Sequence, residues 1–136
     1  MLTDELKKTI QTSYSHFLEQ LDFKPRLGQR QMIAYIANSL GKLVPHGGIA
    51  PLSEFPPMLA IEAGTGTGKT LAYASAAIPI AKALGKKLVV STATVALQEQ
   101  IVHRDFPLIQ KNSKLEFSFA LAKGRRRYVC LSLIHI

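Results

Sequence analysis

Met58-Leu59-Ala60-Ile61-Glu62-Ala63-Gly64-Thr65-Gly66-Thr67-Gly68-Lys69-Thr70 is the stretch on which the reading of this chain turns. A short apolar run ends in a glycine-rich turn, the turn closes on Gly68-Lys69-Thr70, and an alanine-rich, helix-forming segment follows. Strand, loop and helix in that order are the signature of a phosphate-binding loop. The glycines let successive backbone N–H groups point at one place, and that concavity, with a helix N-terminus behind it, binds anionic oxygens. Lys69 then reaches the β- and γ-phosphates as a mobile point charge, and the Thr70 hydroxyl has the right length to ligate Mg²⁺. The candidate nucleotide site is therefore Ala63, Gly64, Thr65, Gly66, Thr67, Gly68, Lys69 and Thr70. Ala63 stands where the usual pattern has glycine, and the bland alternative is a glycine-rich turn that only joins a strand to a helix.

Working outward towards the N-terminus, residues 3–21 read as an amphipathic helix. Thr3 can cap it, Asp4 and Glu5 sit where the helix dipole favours anions, and Leu6, Ile10, Tyr14, Phe17, Leu18 and Leu21 recur at helical spacing. A second helix is predicted from about Gln29 to Leu40, with Met32, Ile33, Ile36, Ala37 and Leu40 as its apolar stripe and Gly41 as its C′ residue. Gln29, off the inner edge of that helix, offers both a donor and an acceptor, which suits the edge of an adenine; a merely solvated glutamine reads the same way. Residues 42–57 hold Pro45, Gly47, Gly48, Pro51, Pro56 and Pro57 and form a loop that is long for a compact domain. His46 lies in it with no second ligand nearby.

Working outward in the other direction, the helix after the turn runs through Leu71, Ala72, Tyr73, Ala76 and Ala77, with a kink or break predicted at Pro79 and an end at Gly85. Leu88-Val89-Val90 reads as a short buried parallel strand that runs into Ser91-Thr92-Ala93-Thr94. Ligands gather at that edge of open α/β sheets. A helix follows from about Val95 to His103, a further short helix starts at Pro107 and Leu108, and Phe117 to Leu121 looks like another strand. The predicted fold class is α/β: a three-layer domain with a parallel sheet, preceded by two helices.

Lys123-Gly124-Arg125-Arg126-Arg127-Tyr128-Val129-Cys130 sets four basic side chains beside an aromatic, which suits phosphate contacts plus base stacking. A solvated basic turn is the alternative. Cys130, alone, reads equally as a small buried apolar residue. The net charge is +8, Lys and Arg numbering 17 against 9 Asp and Glu, a balance that suits a polyanion or is simply a solubilising charge. The hydrophobic fraction, 47%, is ample for a core. One cysteine excludes an internal disulfide framework, no apolar stretch is long enough to cross a bilayer, and the N-terminus does not read as a secretory signal. A cytoplasmic protein without a membrane partner is expected.

Taken together, three stretches and a terminus carry a resemblance: Pro25-Arg26-Leu27-Gly28-Gln29-Arg30-Gln31-Met32-Ile33-Ala34, Glu62 to Leu71, Val89 to Ile101, and Lys123-Gly124-Arg125 with Arg127-Tyr128-Val129-Cys130. The chain resembles the N-terminal end of the DinG family, iron–sulfur DNA helicases related to XPD. The resemblance implies an incomplete RecA-like P-loop NTPase domain. It makes Gln29 the Q-motif glutamine that reads adenine, and Ala63 to Thr70 the Walker A motif. Ser91, Thr92 and Thr94, with Gln98, would touch the DNA backbone, beside the phosphate contacts that the basic run itself offers through Arg125 and Arg127. Cys130 would be the first of four cysteines on a 4Fe–4S cluster. The implied activity is ATP-driven unwinding with 5′-to-3′ movement on single-stranded DNA, including duplex and R-loop junctions, by a monomer that uses ATP, Mg²⁺ and the cluster.

The family's Walker B acids, its three later cysteines, its second motor domain and its arginine finger have no match in this sequence. The implied organisation is helices with the Q motif at 1–41, the Pro/Gly-rich loop at 42–57, the first part of a motor domain at 58–122, and the entry to an iron–sulfur domain at 123–130. The last six residues, 131–136, resemble translated adapter sequence and are expected to be a non-native tail. Such a piece is expected to bind nucleotide at most, without ATPase activity, and to be poorly soluble because of an unfinished sheet edge. The rival readings are a generic phosphate-loop NTPase and a non-enzymatic basic nucleic-acid-binding module.

Overall fold

In a computed structural model of the chain, which describes residues 2–44 and 57–124, Thr3 opens the first helix. Its hydroxyl oxygen accepts the Leu6 N–H at 3.3 Å, Asp4 and Glu5 fill the first turn, and α1 runs Asp4–Gln20. The second helix, α2, runs Leu27–Leu40. Gly41, predicted as its C′ residue, is the C-cap: the backbone there stays right-handed and continues into a 3₁₀ turn, Gly41–Leu43. Gly41 is needed for another reason, since a Cβ there would meet Leu2 Cγ at 2.7 Å.

The third helix, α3, runs Lys69–Ala83 straight through Pro79, where a break is predicted. Pro79 has no N–H to give to the Ser75 carbonyl, but every residue from Leu71 to Ile80 except Tyr73 is buried, so packing on both sides holds the helix together. Its end is set by two backbone bonds, Lys86 N–H to Ala81 O at 2.9 Å and Gly85 N–H to Lys82 O at 3.1 Å, the pattern of a Schellman motif. A fourth helix, α4 (Val95–Gln100), is capped by Thr94. It passes through a π-helical turn, Ile101–Asp105, into α5 (Phe106–Asn112). Phe106 N–H closes on Ile101 O, and Pro107 has no N–H for the α-helical bond to His103, so the wider turn falls where the regular ladder loses a donor.

α3 is the centre. Ala72, Ala74 and Ala76 are fully buried, and their small side chains let neighbouring helices approach closely. α1 contributes Leu6, Ile10, Tyr14, Phe17 and Leu18 to the core, α2 contributes Met32, Ile33 and Ala37, and α5 contributes Phe106 and Ile109. His16 Nδ1 lies 2.7 Å from the Asn112 carbonyl and ties α1 to the end of α5. Phe106 also meets Phe117 and Phe119 edge-on, with ring centroids 5.7 and 5.4 Å away, which fastens the segment after α5 to the core.

The predicted α/β class, a RecA-like parallel sheet in three layers, is corrected by this structure: the described residues form helices and no strand. Residues 57–64, 86–92 and 114–124, which include the three expected strands, are irregular. All of the ladder bonds of a parallel strand go to neighbouring strands, so a β-branched run alone cannot make one. Here α3 packs against α2 and α1, and no described segment pairs with another as a strand. Val89, read as a buried strand residue, is 86% exposed, and Met58 is 92% exposed.

Candidate functional site: a cleft at the head of α3

The turn before α3 ends on Gly68, the N-cap, in the left-handed region at φ 80° and ψ 41°. A side chain there would be strained by that backbone and would also collide with Gln29 Nε2. The first intrahelical bond is Ala72 N–H to Gly68 O at 3.1 Å, so the N–H groups of Lys69, Thr70 and Leu71 have no acceptor within the helix. Those donors and the positive end of the helix dipole face a cleft of about 790 Å³ lined by Gly66, Gly68, Lys69 and Thr70 on one side. Pro25, Arg26 and Gln29 line it from the α2 end, and Leu97, Gln100, Arg104 and Asp105 from α4 and the π-helical turn. Lys24, Arg26, Lys69 and Arg104 outnumber Asp22 and Asp105 among its charged residues, so the field inside favours an anion.

Lys69 is bent back over its own loop. Its ammonium donates to Ala63 O at 2.5 Å and Gly64 O at 2.9 Å. Thr67 Oγ1 donates to Gly64 O at 2.6 Å, and Arg26 Nη1 donates to Gly66 O, so an arginine of the α2 end clamps the turn from outside. Across the cleft, the Asp105 carboxylate, 14% exposed, accepts from Arg104 Nε and Gln100 Nε2, each at 3.1 Å. Tyr73, one turn into α3, has a buried hydroxyl near that of Thr70, with no well-aligned hydrogen-bond partner among the described residues. Burial pushes its phenol above the ordinary value; the Thr70 hydroxyl pulls it down, and the Asp105 charge pushes it up.

Gln29 is not a solvated glutamine. It is 6% exposed, and its Oε1 accepts the Tyr14 hydroxyl proton at 2.9 Å. Burial also raises the Tyr14 phenol, against lowering contributions from the Arg26 backbone and the Arg30 and Arg26 charges. The structure thus brings Gln29, Thr65, Gly66, Gly68, Lys69 and Thr70 to one cleft, with Ala63 and Gly64 under the Lys69 ammonium and Thr67 turned onto the Gly64 carbonyl. It does not bring Ser91, Thr92, Thr94 and Gln98 there, since α4 lines the cleft through Leu97 and Gln100. Thr94 accepts the Leu97 N–H at 3.3 Å, Thr92 Oγ1 donates to Thr94 O at 3.1 Å, and Gln98 Nε2 donates to Ala122 O at 3.3 Å. Ser91 is exposed. Arg125, Arg127 and Cys130, with the tail 131–136 and most of the 42–57 loop, lie outside the described residues. Sequence reasoning passed over Arg26, Tyr14, Tyr73 and Asp105. Tyr14 carried only the signal of a core position, and nothing in the spacing from Tyr14 to Gln29 marks a contact between two helices.

The fold and the cleft define a helical cluster with an anion-favouring site at the head of its central helix. Over nearly its whole length the chain matches proteins of one class, ATP-dependent DNA helicases of the DinG type, as the sequence resemblance implies. It is 45% identical over 131 residues to the ATP-dependent DNA helicase DinG of Photobacterium profundum, covering 96% of this chain and 18% of that protein. To DinG of Escherichia coli K12 it is 47% identical over 130 residues, 95% of this chain and 16% of that protein. The corresponding figures for Salmonella typhimurium DinG are 46% over 130 residues, 95% and 16%. The chain therefore spans less than a fifth of the length of these relatives. No protein-family model matches it. Among the described residues no helix is long and apolar enough to cross a membrane.

Proposed function

We propose that the cleft at the head of α3 binds the triphosphate of ATP, and that this chain is the nucleotide-binding part of an ATP-dependent DNA helicase. The observation that carries the reading is Lys69, whose ammonium sits over the Ala63 and Gly64 carbonyls at the edge of a cleft floored by free helix N–H groups. With a nucleotide present it exchanges two neutral acceptors for charged phosphate oxygens, which makes each bond stronger. Arg26 and Arg104 add to the field, and Gln29 meets the adenine edge. The Thr70 hydroxyl is the protein ligand we assign to Mg²⁺, which characteristically takes its other ligands from phosphates and water. Among the described residues no group of three or more His, Cys, Asp or Glu is arranged to hold a metal ion.

At the level of the helicase, Ser91, Thr92, Thr94 and Gln98 with Arg125 and Arg127 contact the backbone of single-stranded DNA. The wider reading keeps 5′-to-3′ movement, action at duplex and R-loop junctions, a monomeric state and a cytoplasmic location. A 4Fe–4S cluster needs four thiolates, and Cys130 is the only cysteine among the 136 residues. Cys130 alone does not make such a site.

Equilibrium binding of a fluorescent ATP analogue to the chain tests the nucleotide reading. Lys69→Ala weakens binding by at least about tenfold, the loss of a hydrogen bond between charged groups; equal affinity in the two proteins refutes it. For the helicase reading, residues 1–130 replace the matching stretch of E. coli DinG. ATP-dependent strand separation by the chimera supports it, and a chimera that binds ATP without separating strands counts against it. The net charge of +8 favours one rival, a basic nucleic-acid-binding module. Salt-sensitive DNA binding by a chain that ignores ATP would select that rival instead.

A further inference from the structure

A glutamine amide that reads a base has to present the correct end. Adenine offers the N6 amino donor beside the N7 acceptor, so the amide must set its oxygen against N6 and its nitrogen against N7; guanine offers two acceptors, O6 and N7. An amide free to turn about its last torsion presents the matching face only part of the time. In this chain the Gln29 amide is held at both ends. Oε1 accepts the Tyr14 hydroxyl proton at 2.9 Å in a buried bond, and Nε2 lies so close to Gly68 that a Cβ there would strike it. The Tyr14 bond uses one of four hydrogen-bonding positions on the amide and leaves a lone pair on Oε1 and both protons on Nε2.

From this we infer that Tyr14 is a positioning residue for base selection: its hydroxyl locks the Gln29 amide in the orientation that accepts adenine and disfavours guanine. This rests on the reading of Gln29 as the adenine contact. Tyr14 itself does not line the cleft, whereas Gln29 does, so it acts only through that amide. A phenol with an ordinary value of 10.0 is protonated across the neutral range, and burial moves it only further up, so the tyrosine is the donor and the glutamine oxygen the acceptor. Gly68 completes the lock from the phosphate side. The same amide thereby joins the base end of the site to the turn that binds the phosphates.

The test is equilibrium binding of fluorescent ATP and GTP analogues to four forms of the chain: unaltered, Tyr14→Phe, Gln29→Ala, and the double variant. The unaltered chain prefers ATP. Tyr14→Phe weakens ATP about threefold to tenfold, the worth of one neutral hydrogen bond, and leaves GTP within about twofold. Gln29→Ala brings the two nucleotides to similar affinity, and adding Tyr14→Phe to it changes the ratio no further. A Tyr14→Phe chain that loses ATP and GTP equally, or retains the full preference, overturns the inference while Gln29 stays the base contact. An unchanged preference in Gln29→Ala overturns the base-reading itself. A readout without any variant is the nitrogen-15 NMR signal of the Gln29 side-chain amide. ATP shifts it and GTP does not; a shift of the same size with both nucleotides counts against the lock.

Discussion

Replacing Gly68 by alanine strikes the point where the phosphate turn, α3 and Gln29 meet. Its φ of 80° lies in the left-handed region, which costs an L-residue with a Cβ about 1–2 kcal/mol. The new Cβ also meets Gln29 Nε2, and this is no flexible tip in solvent: Gln29 is buried and its other end is bonded to Tyr14. Moving the amide aside breaks that bond, at about 1 kcal/mol. Gly68→Ala therefore destabilises the chain by about 2–3 kcal/mol, a fall in Tm of about 10 °C for a chain of this size. Thermal unfolding followed by far-UV circular dichroism reads the shift. Gly64→Ala is the internal control, because nothing lies within 4 Å of a Cβ built there; its Tm should stay within about 2 °C of the unaltered chain, as for a substitution that touches nothing. Adding Gln29→Ala to Gly68→Ala removes the collision but not the backbone strain, so the second change costs less than it does alone. If Gly68→Ala and Gly64→Ala melt together, the description of the turn is wrong.

Two further outcomes follow from the packing. Phe106→Ala removes the ring that holds Phe117 and Phe119 on α5, at a cost of about 3–5 kcal/mol, and amide exchange at residues 115–120 accelerates; protection retained there would contradict the aromatic anchoring. Tyr14 and Tyr73 both hold their protons above the ordinary value of 10.0 in the folded chain. The unfolded chain loses these protons first, so their contribution is whole below pH 10 and drains away as the pH rises through the folded values. Stability should fall on the alkaline side, and Tyr14→Phe with Tyr73→Phe should flatten that limb; an equally steep limb in the double variant would refute the assignment.

The helices were legible because their signals are local. Thr3 and the spacing from Leu6 to Leu18 mark α1, and the turn at Gly68-Lys69-Thr70 marks the head of α3. The sheet was misread for the opposite reason. Leu88-Val89-Val90 has the composition of a strand, but a strand exists only with partners, and no partner strand is present among the described residues. That correction also withdraws the ground for expecting an unfinished sheet edge to limit solubility. Pro79 misled in the same sense, since burial from Leu71 to Ile80 outweighs one missing donor. Gly41 was legible as the end of α2, but its close approach to Leu2 was not. The lysine, the threonine and the glycines of the site were readable from their motif. Its buried support was not, because the Tyr14–Gln29 bond and the charge of Asp105 acting on Tyr73 both run between elements, and no local pattern records them.

The backbone N–H groups at the head of α3 are the donors on which nucleotide binding depends. Titration of the nitrogen-15-labelled chain with ATP and Mg²⁺ reads them one by one. Saturable shifts of the Gly66, Gly68, Lys69 and Thr70 amides, lost in Lys69→Ala, are the predicted result. Amides at 66–70 that stay in place at saturating ATP would contradict it.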